Sequence, residues 1–244
     1  MIQRSFLTPR PAKVPLICTF GRLLGQPATL PEEGLCDYAF YEFHYQPHGN
    51  PSVLELDHPL LTRYMEATRA RVRTQYGLGF MPFDLSDLLY QLSLTSRAAP
   101  VFKAFWEARI YHYGILTVAH VTTAEDLRQI LQVLQLCNEK LRRGDIHVDN
   151  GAQVVYVIDG QSPSVITYDD EDTLRYKLCH EKRNYTNLDY GIAVYDVDHD
   201  DYANNCVGKS RYGSYSRLKM AVKINEFFRR YITADDEESC RNTL

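Results

Sequence analysis

Apolar and polar positions follow two alternating rhythms along the first half of the chain, and together they lay out a β-then-α order. Val14 to Phe20 is a short apolar run that predicts a first strand, and Gly21 to Gly34, with Pro27 and Pro31, predicts a connection. Cys36 to Phe43 predicts the second strand, followed by a loop over His44 to Asn50. Leu60 to Gln75 carries apolar residues at helical spacing with basic residues on its outer face, and Tyr76 to Met81 predicts a third strand. Helical patterns over residues 85–92 and 98–109 are expected to break near Pro100, and Ile110 to Val118 predicts a fourth strand. The helix that follows has the clearest pattern: Thr122 with Glu125 spells a capping box, and Leu127, Ile130, Leu131, Leu134, Cys137 and Leu141 share one face.

After Gly144 the rhythm changes. The run Val154 to Ile158, then Asp159-Gly160, then Val165-Ile166-Thr167 predicts a β-hairpin. A helix is expected from Glu171 to Arg183, a strand over 191–197 and a helix from Ser214 to Tyr231. Residues 1–13 read as a flexible arm and 234–244 as an acidic, disordered tail, leaving 14–233 as one domain. Gly191 to Val194 has the apolar, β-branched character of a strand buried on both faces of a parallel sheet. Asp196, Asp198, Asp200 and Asp201 crowd its C-terminal end. A buried parallel strand ending in polar groups suggests a βα-barrel, in which loops after the strands carry the chemistry. The expected class is therefore α/β, an incomplete (β/α)8 TIM-barrel-like domain of about five barrel strands plus a hairpin, because a closed barrel takes about 250 residues.

Composition narrows the function only slightly. A net charge of −4 offers no general attraction to nucleic acid or to an anionic membrane, and no apolar run approaches the length of a spanning helix. Eighteen tyrosines against the single Trp106 suit a sugar-binding surface and equally suit half-buried packing.

Two C-terminal segments carry a resemblance. Tyr168-Asp169-Asp170-Glu171-Asp172-Thr173-Leu174 with Lys177, and then Gly191-Ile192-Ala193-Val194-Tyr195-Asp196-Val197-Asp198-His199-Asp200-Asp201-Tyr202, are similar to the end of the barrel in glycoside hydrolase family 18, the chitinases and chitinase-like proteins. There a Tyr-Asp-Asp run opens a helix, and the last strand reads roughly Gly-x-x-x-Trp-x-x-Asp-x-Asp-Asp-Phe. Gly191, Asp198, Asp200, Asp201 and Tyr202 agree, while Tyr195 stands at the tryptophan position. Ile17-Cys18 and Leu35 to Tyr41 resemble, more loosely, the opening of the same barrel. Measured against the family, the fifth and sixth strands are missing between Arg143 and Val154, near 144–153.

The resemblance implies a Cys18–Cys36 bridge, since chitinases commonly link these positions. Cys179 and Cys206 flank the last strand unit and form a candidate second bridge, the alternative for all four being buried free thiols. Disulfides place the protein in an oxidising, extracellular setting. Met1 to Pro11 lacks the apolar core of a secretory signal, so either the N-terminus is incomplete or the disulfide reading fails. Asn184-Tyr185-Thr186 is a glycosylation sequon, meaningful in a secreted protein.

Family-18 enzymes use a substrate-assisted mechanism in which a glutamic acid protonates the leaving oxygen and the substrate's N-acetyl group attacks. Their motif is Asp-x-x-Asp-x-Asp-x-Glu at the end of the fourth strand. By chain order that position is Tyr113 to His120, which holds no acid, and by spelling it is Asp84 to Gln91, where Gln91 replaces the glutamic acid. An amide is no general acid near neutral pH, so no catalytic residue is assigned. His112 and His120 near the end of the fourth strand are read as structural or surface residues. An EF-hand beginning at Asp196 would want glycine at Asp201 and glutamate at Val207, and fails at both, so no metal or other cofactor is expected. Tyr195 remains the candidate substrate-binding residue, as the family's aromatic here is the floor on which a sugar ring stacks; a tyrosine merely filling the mouth is the alternative. The sequence thus points to a chitinase-like pseudoenzyme binding chitin or N-acetylglucosamine oligosaccharides. The alternatives are an active glycosidase with a non-standard acid, or a non-functional fragment of a longer chitinase-like protein.

Overall fold

The computed structural model describes residues 15–21, 29–42, 56–80, 95–115, 146–158, 165–185, 191–205, 210–230 and 236–242. In chain order these form β1 (Leu16–Phe20), β2 (Tyr38–Glu42), α1 (Pro59–Thr68), β3 (Gln75–Phe80), α2 (Thr95–Glu107), β4 (Ile110–Ile115), β5 (Ile146–Asp149), β6 (Val154–Ile158), β7 (Val165–Tyr168), α3 (Glu171–Asn184), β8 (Ile192–Val194), a 3-10 turn (Val197–His199), α4 (Ser216–Arg230) and α5 (Glu237–Arg241). Five strands make one parallel sheet in the order β4-β3-β2-β1-β8, and β5, β6 and β7 make a separate antiparallel sheet. The class is α/β. The five parallel strands and the hairpin anticipated from the pattern are all present.

Side chains alternate across each strand, so the register sorts the parallel sheet into two faces. Cys18 and Phe20 stand beside Ala39 and Tyr41, and these beside Tyr76 and Leu78. This face is buried together with Leu61 and Tyr64 of α1, Phe105 of α2, and Leu218, Ile224 and Phe228 of α4. The other face carries Ile17, Thr19, Tyr38, Phe40, Glu42 and Gln75. Gly77 is required here: a Cβ would stand 2.6 Å from both the Phe40 ring and the His112 carbonyl oxygen. Gly191 lets β8 start against β1, since a Cβ there would meet the Pro15 carbonyl at 2.2 Å.

The elements depart from expectation at four places. α1 stops at Thr68 rather than continuing to Gln75, because the next residues are recruited by the β1–β2 connection. Glu33 accepts the backbone N–H groups of Val72 and Arg73, while Thr74 accepts Gly34 N–H at 2.9 Å and donates to the Cys36 carbonyl at 2.9 Å. α2 runs through Pro100, which forfeits one helical bond while Val101 and Phe105 bury the same face beyond it. In the region expected to lack central strands, Ile146–Asp149 forms β5, antiparallel to β6, so it is no missing barrel strand. The tail expected to be disordered holds α5, whose Cys240 is buried and bridged to Cys179. The arm at 1–13 and the helices anticipated over 85–92 and 122–141 lie outside the described residues.

Among the described residues two disulfides are present. Cys18–Cys36 joins β1 to the lead-in of β2 across a Cα separation of 6.0 Å, as expected. Cys179 pairs with Cys240 at 5.8 Å and not with Cys206, which lies outside the described residues. The correction follows from packing: α3 and α5 lie against each other, held also by Arg183 to Glu237 at 2.7 Å and by the Arg241 guanidinium 3.9 Å above the Tyr176 ring.

Candidate functional site

Parallel strands end on the same side, and polar groups gather where β1, β2 and β8 finish. Thr19 and Glu42 occupy the same sheet face near the ends of β1 and β2. β8 delivers Tyr195, after which Asp196 adopts a left-handed backbone (φ 51°) that turns the chain into Val197–His199. The turn is fastened to the end of β1 by bonds that include Asp196 N–H donating to the Thr19 hydroxyl at 3.0 Å and Gly21 N–H donating to Asp198 at 2.8 Å. Gly21 leaves room for this, since a Cβ would come within 3.2 Å of Asp196 Oδ1.

Glu42 is the unusual member. It is only 4% exposed, and neither carboxyl oxygen has a hydrogen-bond partner. Burial pushes its pKa up to about 8; the neighbouring Thr19 hydroxyl opposes the rise, and the charges of Asp196 and Asp198 add to it. Asp196 is raised as well, chiefly by burial, with His199 opposing and Asp198 adding, and its Oδ1 also lacks a partner. Chemically, the site holds a protonated acid near neutral pH beside two further carboxyls, enclosed rather than open to solvent. Tyr195, by contrast, is 46% exposed at the rim.

The other acids of the run are structural. Asp200 is buried and accepts Leu218 N–H at 3.0 Å and Arg217 Nε at 2.8 Å, anchoring the start of α4. Asp201 accepts Asn205 N–H at 2.7 Å and the Ser210 hydroxyl at 3.0 Å. Asp170 caps α3 by accepting from the backbone of Asp172 and Thr173, while Asp169 pairs with Lys177 at 2.6 Å. Among the described residues no group of three His, Cys, Asp or Glu side chains is disposed to hold a metal ion.

The remaining candidates fall as follows. His112 lies 2.5 Å from Gln75 Oε1 and packs edge-on against Tyr38, with burial lowering its pKa, in keeping with a structural residue. Tyr113 stacks within Phe80, Phe102 and Phe105. His120 and the Asp84-to-Gln91 window lie outside the described residues. Asn184 is the exposed last residue of α3. Sequence reasoning passed over Glu42; the available signal was a carboxylate ending an apolar strand, on the side of the sheet to which the barrel rule assigns chemistry.

Compared with known proteins, the chain matches no family model and no curated sequence.

Proposed function

We propose that this protein is a chitinase-like domain of family-18 descent that binds N-acetylglucosamine-containing glycans without hydrolysing them. The observation that carries the reading is Tyr195, exposed at the carboxyl end of a strand that returns beside β1. An order in which the last strand pairs in parallel with the first is the neighbour relation of a βα-barrel, so β8-β1-β2-β3-β4 reads as an arc of one. Tyr195 offers a flat face for a pyranose ring, and the two described disulfides are compatible with an extracellular protein. No described helix is long and apolar enough to cross a membrane.

Titrating the oxidised chain with an N-acetylglucosamine tetramer, followed by calorimetry, tests this reading. Weak saturable binding is expected, reduced about tenfold in Tyr195→Ala, a loss of about 1.4 kcal/mol. Binding unchanged in that variant, or no binding at all, sinks it. A second reading, an active glycosidase with a non-standard acid, draws on Glu42, the described carboxyl pushed to about 8. Release of reducing sugar that disappears in Glu42→Gln would establish that reading instead.

A further inference from the structure

The carboxyl cluster does something whether or not a glycan binds. We propose that Glu42, Asp196 and Asp198 form a proton switch, in which one proton held on Glu42 keeps the ends of β1, β2 and β8 together and its loss loosens the mouth beside Tyr195.

The geometry sets this up. Glu42 is 4% exposed with neither oxygen hydrogen-bonded, and Asp196 Oδ1 is sealed without a partner in the same cluster. An enclosed carboxylate with only the neighbouring Thr19 hydroxyl to offset its burial is strongly disfavoured, and a bound proton is the simplest way to neutralise it. The groups that act on Glu42 are the Thr19 hydroxyl from β1 and the carboxyls of Asp196 and Asp198 from the turn after β8. His199 acts on Asp196, and the Arg217 guanidinium of α4 is committed to Asp200 and the His199 carbonyl. Ionising Glu42 therefore adds negative charge beside Asp196 and Asp198. Those residues carry bonds that fasten the turn to the end of β1, Asp196 N–H to Thr19 and Gly21 N–H to Asp198. Repulsion acts directly on that fastening.

The sign follows from linkage. The folded-state pKa of Glu42 is raised from an ordinary 4.5 to about 8, so the folded chain holds a proton that the unfolded chain releases. The stability this confers is full below about pH 4.5, falls as pH rises through the window, and is gone above about pH 8.

The test uses the full oxidised chain. Urea-unfolding free energies measured between about pH 5 and pH 8 should fall with a slope of about one proton, and Glu42→Gln should remove that slope. In carboxyl-carbon NMR, a resonance lost in the variant should titrate near pH 8, and amide-exchange protection at Gly21 and Asp196, corrected for intrinsic rates, should drop above it. An unchanged pH profile in Glu42→Gln, or a Glu42 resonance titrating in the usual carboxylate range, overturns the proposal. Should that variant fail to fold, Asp196→Asn decides it: the Glu42 titration should move to lower pH, and an unmoved titration denies the coupling.

Discussion

Tyr64 shows how one side chain can lock the parallel sheet to its helical layer. It lies fully inside the core on α1, and its hydroxyl donates to the Ala39 carbonyl at 2.9 Å and the Gly77 carbonyl at 3.0 Å, bridging β2 and β3. Tyr64→Phe preserves the ring contacts with Tyr41 and Tyr76 but leaves both carbonyls without this donor. A loss of about 1–3 kcal/mol is expected, read as a lower urea midpoint at unchanged slope. The residue scale is also where the sequence was least legible. Tyr195 and the acidic run stand out because they end an apolar strand. Glu42 looks like an ordinary polar position in a strand, and the groups that define its environment arrive from the other end of the chain: the Asp198 to Gly21 bond spans 177 residues. No local pattern encodes such a meeting.

At the scale of elements, α5 is the clearest case of tertiary structure overriding composition. Five residues are too few to hold a helix alone, and an acidic C-terminal segment ordinarily reads as a solvated tail. Cys240 reverses that by bridging to Cys179 across a separation of 61 residues, and Glu237 reinforces it through Arg183 and Arg241. The double variant Cys179→Ser, Cys240→Ser should lose about 2–4 kcal/mol and become cleavable by trypsin after Arg241 under conditions where the native chain resists. Equal resistance in the two would mean that the ion pairs hold the helix by themselves. Cysteine number and spacing left the pairing undetermined, since partner choice depends on which helix faces which. The Asp170 cap was far more legible, because a cap is local: the residues that make it lie within one turn.

For the whole molecule, the parallel sheet was legible because buried strands write continuous apolar runs, whereas β5, with only Ile146 among its four residues less than exposed, writes almost nothing. That difference in burial also predicts how the molecule comes apart. The large core joins β1 to β4, β8 and the helices α1 to α5 in one cluster, while Val155 and Val157 of β6 are buried outside it. The three-stranded sheet also leaves Val148, Ile158 and Val165 at 54%, 48% and 59% exposure. A sheet with so little apolar area removed from water opens at lower free energy than one packed on helices, so the two should not share one exchange transition. Amide hydrogen exchange in increasing urea should release β5, β6 and β7 first, at free energies well under the global value, while β1, β2 and β3 exchange only with complete unfolding. Merging of all eight strands into a single isotherm would show that the small sheet is part of the same cooperative unit. The order also fixes which region senses pH: the Glu42 carboxyl belongs to the late-opening sheet, so raising the pH should lower the late isotherm and leave the early one in place.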